Sequence, residues 1–421
     1  MAILDNKLLK SSSIYVVANL INAVVPFVLL PYLTQNLTPG SYALISLISV
    51  AISFFGPFVG FNANSALLKR YYNNDDYDYK TYLSNCFYIL LITICCFNVI
   101  ILFFGETISN LFIIPEEALL YILLISSATF IHQLILTTWR VTDKPIKYAL
   151  FQIILTLLNL IITIYLISYH DYDWKGRILG WVYSSLILAF ISILYLWYHG
   201  FLFKVIKTKY IQDALKFSLP LIPHVIGALL FGVFSRIIVG KVLNLTQVGI
   251  FSVSYQFASI LGIVFAAFNT AFVPWLFNKL KSDNIDQPYL VKTSYKLMLL
   301  FVILTFMCYL TIYLAFPYIV SSKFNESKQY IFILLLSFMC NGLYYLVANY
   351  IFYKEKNIYL SYSTGLIGIL HLPICYFLTK SYGLYGTSIS NLISYFLLFI
   401  LTWYISNKVY PLPWKKSSNN H

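Results

Sequence analysis

The chain has 421 residues, 60% of them hydrophobic and only 10% charged, with a mean hydropathy of +0.78. That composition excludes a soluble globular domain and predicts an integral membrane protein. A formal charge of +13 would suggest nucleic acid in a soluble chain, but no nucleic-acid module accompanies it, so the placement of the charge matters more than its size.

The amino terminus lacks a signal-peptide cleavage pattern and runs into an apolar stretch too long for a signal core, so it is expected to remain as the first span. Twelve apolar windows are long enough to cross a bilayer core of about 30 Å. They fall near 13–33, 42–68, 82–104, 119–139, 146–168, 178–198, 215–239, 248–276, 294–316, 330–353, 359–379 and 385–406. An even number puts both termini on one face. With the amino terminus inside, 21 of the 28 basic residues fall in inner segments, six fall outside and Arg236 lies within a span. The positive-inside rule then gives a chain with both termini cytoplasmic.

The expected fold is an all-α membrane protein of two six-helix bundles, 1–200 and 215–421, joined by a basic cytoplasmic linker at 201–214. Gln35-Asn36-Leu37-Thr38 after the first span resembles Leu243-Asn244-Leu245-Thr246 after the seventh. This points to a repeat about an axis along the membrane normal, although matches this short between polar loops also arise by chance.

The seventh window is unlike a plain anchor. It carries Pro220, Pro223, His224 and Arg236 between flanking lysines, and no acid. Proline frees backbone carbonyls that need partners, and a guanidinium costs roughly 2.5 to 3.5 kcal/mol at the bilayer centre. Both features suit a surface facing protein or a water-filled cavity, and a path for something anionic.

All 15 acidic residues are assigned to connections or termini, which leaves the spans without the carboxylates that ion relays and bound drug cations use. The spans offer bases and amides instead. His132, His224 and His371 sit near the middle of their windows; each can bind an anion or simply bond a neighbouring helix. Asn62 and Asn64 follow Gly56-Pro57 and Gly60, and Asn269 precedes Pro274, where broken helices place substrate contacts in transporters. Lys69, Arg70 and Arg140 end the second and fourth spans at the cytoplasmic face. Positive-inside anchoring accounts for them, and the same positions suit a phosphate at an inner mouth.

The six cysteines have no metal-ligand spacing, and no P-loop, His-Glu metal motif or Ser-His-Asp arrangement is present. No cofactor or metal is expected. Short connections leave no room for a soluble catalytic domain, which argues against an enzyme.

Several stretches together resemble bacterial O-antigen and capsule flippases, the polysaccharide-transporter branch of the superfamily that includes multidrug and toxin extrusion exporters. They are Leu8-Leu9-Lys10-Ser11-Ser12-Ser13 leading to Pro31-Tyr32-Leu33-Thr34, Leu37-Thr38-Pro39, Ala66-Leu67-Leu68-Lys69-Arg70-Tyr71, Ser218-Leu219-Pro220-Leu221-Ile222-Pro223, Val248-Gly249-Ile250-Phe251 and Ala271-Phe272-Val273-Pro274. The chain departs from the pattern at Ala43, where relatives often have glycine nearby, and at Ser235, often aspartate.

The resemblance implies a multi-pass protein of the bacterial inner membrane that moves an undecaprenyl-pyrophosphate-linked oligosaccharide to the periplasmic leaflet by alternating access. Membrane lipids surround it, and a polysaccharide polymerase and a chain-length regulator are its candidate partners. The substrate-binding candidates are Arg236, His224, His132, Asn62, Asn64 and Asn269, with Lys69, Arg70 and Arg140 at the mouth. The rival readings are a multidrug exporter of the same fold and a membrane-embedded polymerase or glycosyltransferase.

Overall fold

A computed structural model of the chain describes residues 14, 25–72, 77–170, 172–281 and 286–414. It is all-helical there and divides into two compact units, 1–226 and 227–421. Most of the expected first span, 13–33, lies outside the described residues; its last part, 25–36, is helix α1.

The first unit continues with α2 (Pro39–Phe55), a 3₁₀ stretch (Gly56–Asn62), α3 (Ser65–Tyr71), α4 (Tyr79–Phe112), α5 (Glu117–Val141), α6 (Pro145–His170), α7 (Asp173–Tyr198) and α8 (Thr208–Ser218). Thr38 starts α2 as its N-cap, its hydroxyl accepting from the Ser41 N–H at 3.2 Å, while Pro39 supplies a pre-set φ where no N–H is needed. Pro57 cannot donate, and the helix gives way. Gly60, Phe61 and Asn62 all take positive φ, at 74°, 48° and 53°. The Gly60 N–H freed by the break is satisfied by Thr93 Oγ on α4 at 2.8 Å.

Helices α6 and α7 meet through Gly176 and Gly180, one turn apart on α7. A Cβ at Gly176 would stand 2.7 Å from Ile167 Cγ1, and one at Gly180 would stand 2.9 Å from the Thr163 backbone. Small residues at this spacing let two backbones approach where lipid offers no hydrophobic drive.

The linker is not a free tether. Lys204 N–H donates to Ser84 Oγ and Lys207 N–H to Asn85 Oδ1, both at 2.9 Å, and Asn85 Nδ2 donates to the Val205 carbonyl at 3.1 Å. These α4 side chains satisfy a segment with no ladder of its own. Asp213 on α8 then accepts from both Arg70 Nε and Nη2 at 2.7 Å, from Tyr82 at 2.8 Å and from Tyr77 at 3.1 Å.

Across the division of the units lies α9 (Leu221–Leu229), followed by α10 (Gly232–Val242), α11 (Leu245–Lys281), α12 (Gln287–Ile319), α13 (Lys328–Tyr353) and α14 (Asn357–Val409). The window 215–239, expected as one span, is thus broken twice, near Pro220 and at Leu230-Phe231. The two Leu-Thr stretches differ in use as well. Thr38 caps α2, whereas Asn244, two positions off the aligned residue, accepts from Gln247 N–H at 2.9 Å.

The 53-residue α14 is two helices folded back at Gly383, where φ is 59° and ψ −139°. Thr379 and Thr387 hydroxyls lie 2.8 Å apart and His371 Nδ1 meets Ser394 Oγ at 2.8 Å. In a straight helix those pairs would be separated by about 12 and 35 Å. Nine helices among the described residues are long and apolar enough to cross a membrane, ten if the broken pair Thr208–Gly227 and Gly232–Val242 is one span; the α14 hairpin adds one more crossing. Helix ends also run past the apolar windows, carrying Glu106, Glu117 and Asp173, expected in connections, into α4, α5 and α7.

Candidate functional site

The break after α2 opens a cavity of about 250 Å³ in the first unit. That is roughly eight times the ~30 Å³ share of a water molecule, room for a small polar group rather than a stray solvent. Asn62 and Asn64 come from the broken stretch, Ser53 from the end of α2, and Ser126, Thr129 and Gln133 from α5, with Ile52, Pro57, Val59, Phe130 and Val225 as apolar walls. Ser126 Oγ itself is buried, with no hydrogen-bond partner among the described residues. The described lining holds amides and hydroxyls and no ionised side chain.

The geometry follows from the sequence locally. Gly60 is needed at the bend because its φ is left-handed and because a Cβ there would overlap the Phe130 ring on α5. The bend turns the chain so that both asparagines line the same cavity as α5. Ser126, Thr129 and Gln133 lie at i, i+3 and i+7, one stripe of the helix. That polar stripe was the signal available for the α5 half of the site, which the candidates chosen from sequence omit.

The other candidates lie elsewhere. His132 is buried, and its Nε2 meets the Ser185 carbonyl of α7 at 3.0 Å while the ring packs edge-on against Phe151. His224 falls in α9, its side chain outside the described residues. Lys69 is exposed, its ammonium 5.5 Å from the centre of the Phe217 ring. Arg70, expected as an open cation at a mouth, is committed to Asp213. Arg140 reaches Tyr148, Nη2 to hydroxyl 3.4 Å.

In the second unit, Arg236 lies with its guanidinium carbon 5.0 Å from the centre of the Tyr255 ring, a cation–π arrangement. Tyr255 reaches this position by packing on Gly232, one turn before Arg236, where a Cβ would overlap the phenol. Asn269 accepts from Asn349 Nδ2 at 2.8 Å. Ser235 meets His371 Nε2 at 2.9 Å and accepts from Asn391 Nδ2 at 3.1 Å, so three helical segments share a buried polar node.

Residues 8–280 match the family model described as polysaccharide biosynthesis protein. The Lsg locus putative protein 1 of Haemophilus influenzae is 27% identical over 381 residues, covering 87% of this chain and 90% of that protein. The solved lipid II flippase MurJ, in its inward closed conformation, superposes with a TM-score of 0.73 at 16% identity, over 94% of this chain and 87% of its own. A mutant of the Vibrio cholerae MATE transporter VcmN gives 0.62 at 14% identity, over 97% of each. The two structural likenesses show a shared all-helical membrane fold.

Proposed function

Because the chain belongs to the polysaccharide biosynthesis protein family, we propose that it is a flippase for a lipid-linked oligosaccharide, working by alternating access in a bacterial inner membrane. Its cargo is an undecaprenyl-pyrophosphate-linked repeat unit destined for O-antigen or capsule. The observation that carries this reading is the cavity at the α2 break, whose described lining sets three amides and three hydroxyls among apolar walls and holds no ionised side chain. Sugar hydroxyls are both donors and acceptors, and such groups match them without paying for a buried charge. Arg236 supplies positive charge for the pyrophosphate in the second unit.

A drug-cation exporter of the same fold wants a carboxylate to face its cargo, and the described cavity lining has none. A polymerase or glycosyltransferase wants an acid or base poised for group transfer, and the described cavity lining has no carboxylate or histidine to activate its hydroxyls.

The test is reconstitution. Liposomes bearing the purified chain and a fluorescent lipid-linked glycan should show the label crossing to the opposite leaflet. Gln133→Leu should slow transfer at least tenfold while leaving the unfolding midpoint unchanged, since it removes two cavity hydrogen-bonding groups. Wild-type vesicles that move the label no faster than empty ones would end the proposal.

A further inference from the structure

Arg70 and Arg177 present the same chemical edge to different surroundings. The side-on fork of a guanidinium, Nε and Nη2, fits two oxygens of one carboxylate or phosphate. In Arg70 that fork is filled by Asp213, both bonds at 2.7 Å. Arg177, the fifth residue of α7, hydrogen-bonds instead through Nη1, to Asn159 Oδ1 at 2.7 Å and Thr163 Oγ1 at 3.4 Å on α6. These bonds fix the head of the side chain and leave the Nε and Nη2 edge without an acceptor among the described residues. The residue is partly exposed.

No carboxylate among the described residues lies within ion-pairing distance of Arg177. Asp173, one turn earlier, is bonded by Ser41 Oγ, and Glu117 at the start of α5 is paired with Lys175. The close α6–α7 approach at Gly180 brings Thr163 to the guanidinium, and the Trp181 ring flanks it with its centre 5.6 Å away. A cation in a membrane helix that is held, among the described residues, by neutral groups alone lacks the counter-charge that such residues normally find. The position is also apt: four residues in from the start of α7 is about 6 Å of helix, near the depth of a phospholipid headgroup.

We infer that Arg177, oriented by Asn159 and Thr163, is a phosphate-binding site at the α7 end of the first unit. The anion is either the headgroup phosphate of a membrane lipid or the pyrophosphate of a lipid-linked cargo. This assignment stands apart from the sugar cavity and survives even if no glycan is moved.

The full chain in phosphate-free maltoside micelles provides the test. Inorganic pyrophosphate is titrated in one arm and phosphatidylglycerol in the other, with diacylglycerol as the phosphate-free control, and binding is read by tryptophan fluorescence and by native mass spectrometry. Saturable binding of either phosphate probe is expected, with at least tenfold weakening in Arg177→Gln. Arg177→Lys keeps the charge and lacks the fork, and should weaken binding about fivefold; it decides the matter if the glutamine variant does not fold. Response to phosphatidylglycerol alone assigns a lipid site, and response to pyrophosphate assigns a cargo site. Wild-type chain that saturates with neither probe, or an Arg177→Lys variant that binds as tightly as wild type, overturns the inference.

Discussion

Replacing Gly60 with alanine tests whether the cavity depends on the bend. Two costs add. The residue holds φ at +74°, and an L side chain in the left-handed region costs about 1–2 kcal/mol. Even the farthest of three Phe130 ring atoms, Cζ, would stand 2.9 Å from the new Cβ, an overpacking expected to cost about 1–3 kcal/mol. Gly60→Ala should therefore lose about 2–5 kcal/mol of unfolding free energy, measured by denaturant titration in mixed micelles. Phe130→Ala removes the ring but not the backbone strain, so the double variant should fall short of the summed single losses by about 1–3 kcal/mol. Because Phe130 also walls the cavity, Gly60→Ala should slow glycan transfer. A Gly60→Ala chain within about 0.5 kcal/mol of wild type, or a strictly additive cycle, would refute the steric reasoning.

Asp213→Asn should cost about 1–3 kcal/mol, less than a fully buried pair, because the Arg70 and Asp213 side chains keep 12% and 19% of their exposure; combining it with Arg70→Gln should recover part of the loss in the same titration. Gly180→Ala should lower the yield of folded monomer on size exclusion and cost about 1–3 kcal/mol, since its Cβ meets the Thr163 backbone as well as the Thr163 hydroxyl, and the backbone has no rotamer to swing away.

Local chemistry was legible and long-range partnering was not. Thr38-Pro39 announced the start of α2, Gly56-Pro57 its break, and the gap between the windows 359–379 and 385–406 the fold-back at Gly383. The second interruption of the seventh window, at Leu230-Phe231, contains no proline, and the Gly227 and Gly232 that flank it are too common within spans to mark a break. Asn62 and Asn64 were found because a helix break is written in residues. Their α5 partners were passed over because amides and hydroxyls within spans serve more often as interhelical bonds. Arg70 looked open because its acid lies 143 positions away. Arg177 reads as part of a connection because the hydropathy window begins one residue later, at Ile178, whereas the helix begins at Asp173. The Gly176 and Gly180 pair, one helical turn apart, is a close-packing signal that the sequence does carry.

The cavity at the α2 break carries one more implication. A hollow with amides, hydroxyls and apolar walls but no ionised group in its described lining grips its guest with little dependence on ionic strength, while contacts with a partly exposed arginine fade as the Debye length shrinks from about 10 Å at 0.1 M salt to about 3 Å at 1 M. Ionic strength thus becomes a scalpel, separating how the molecule holds the uncharged part of its passenger from how it holds the charged end.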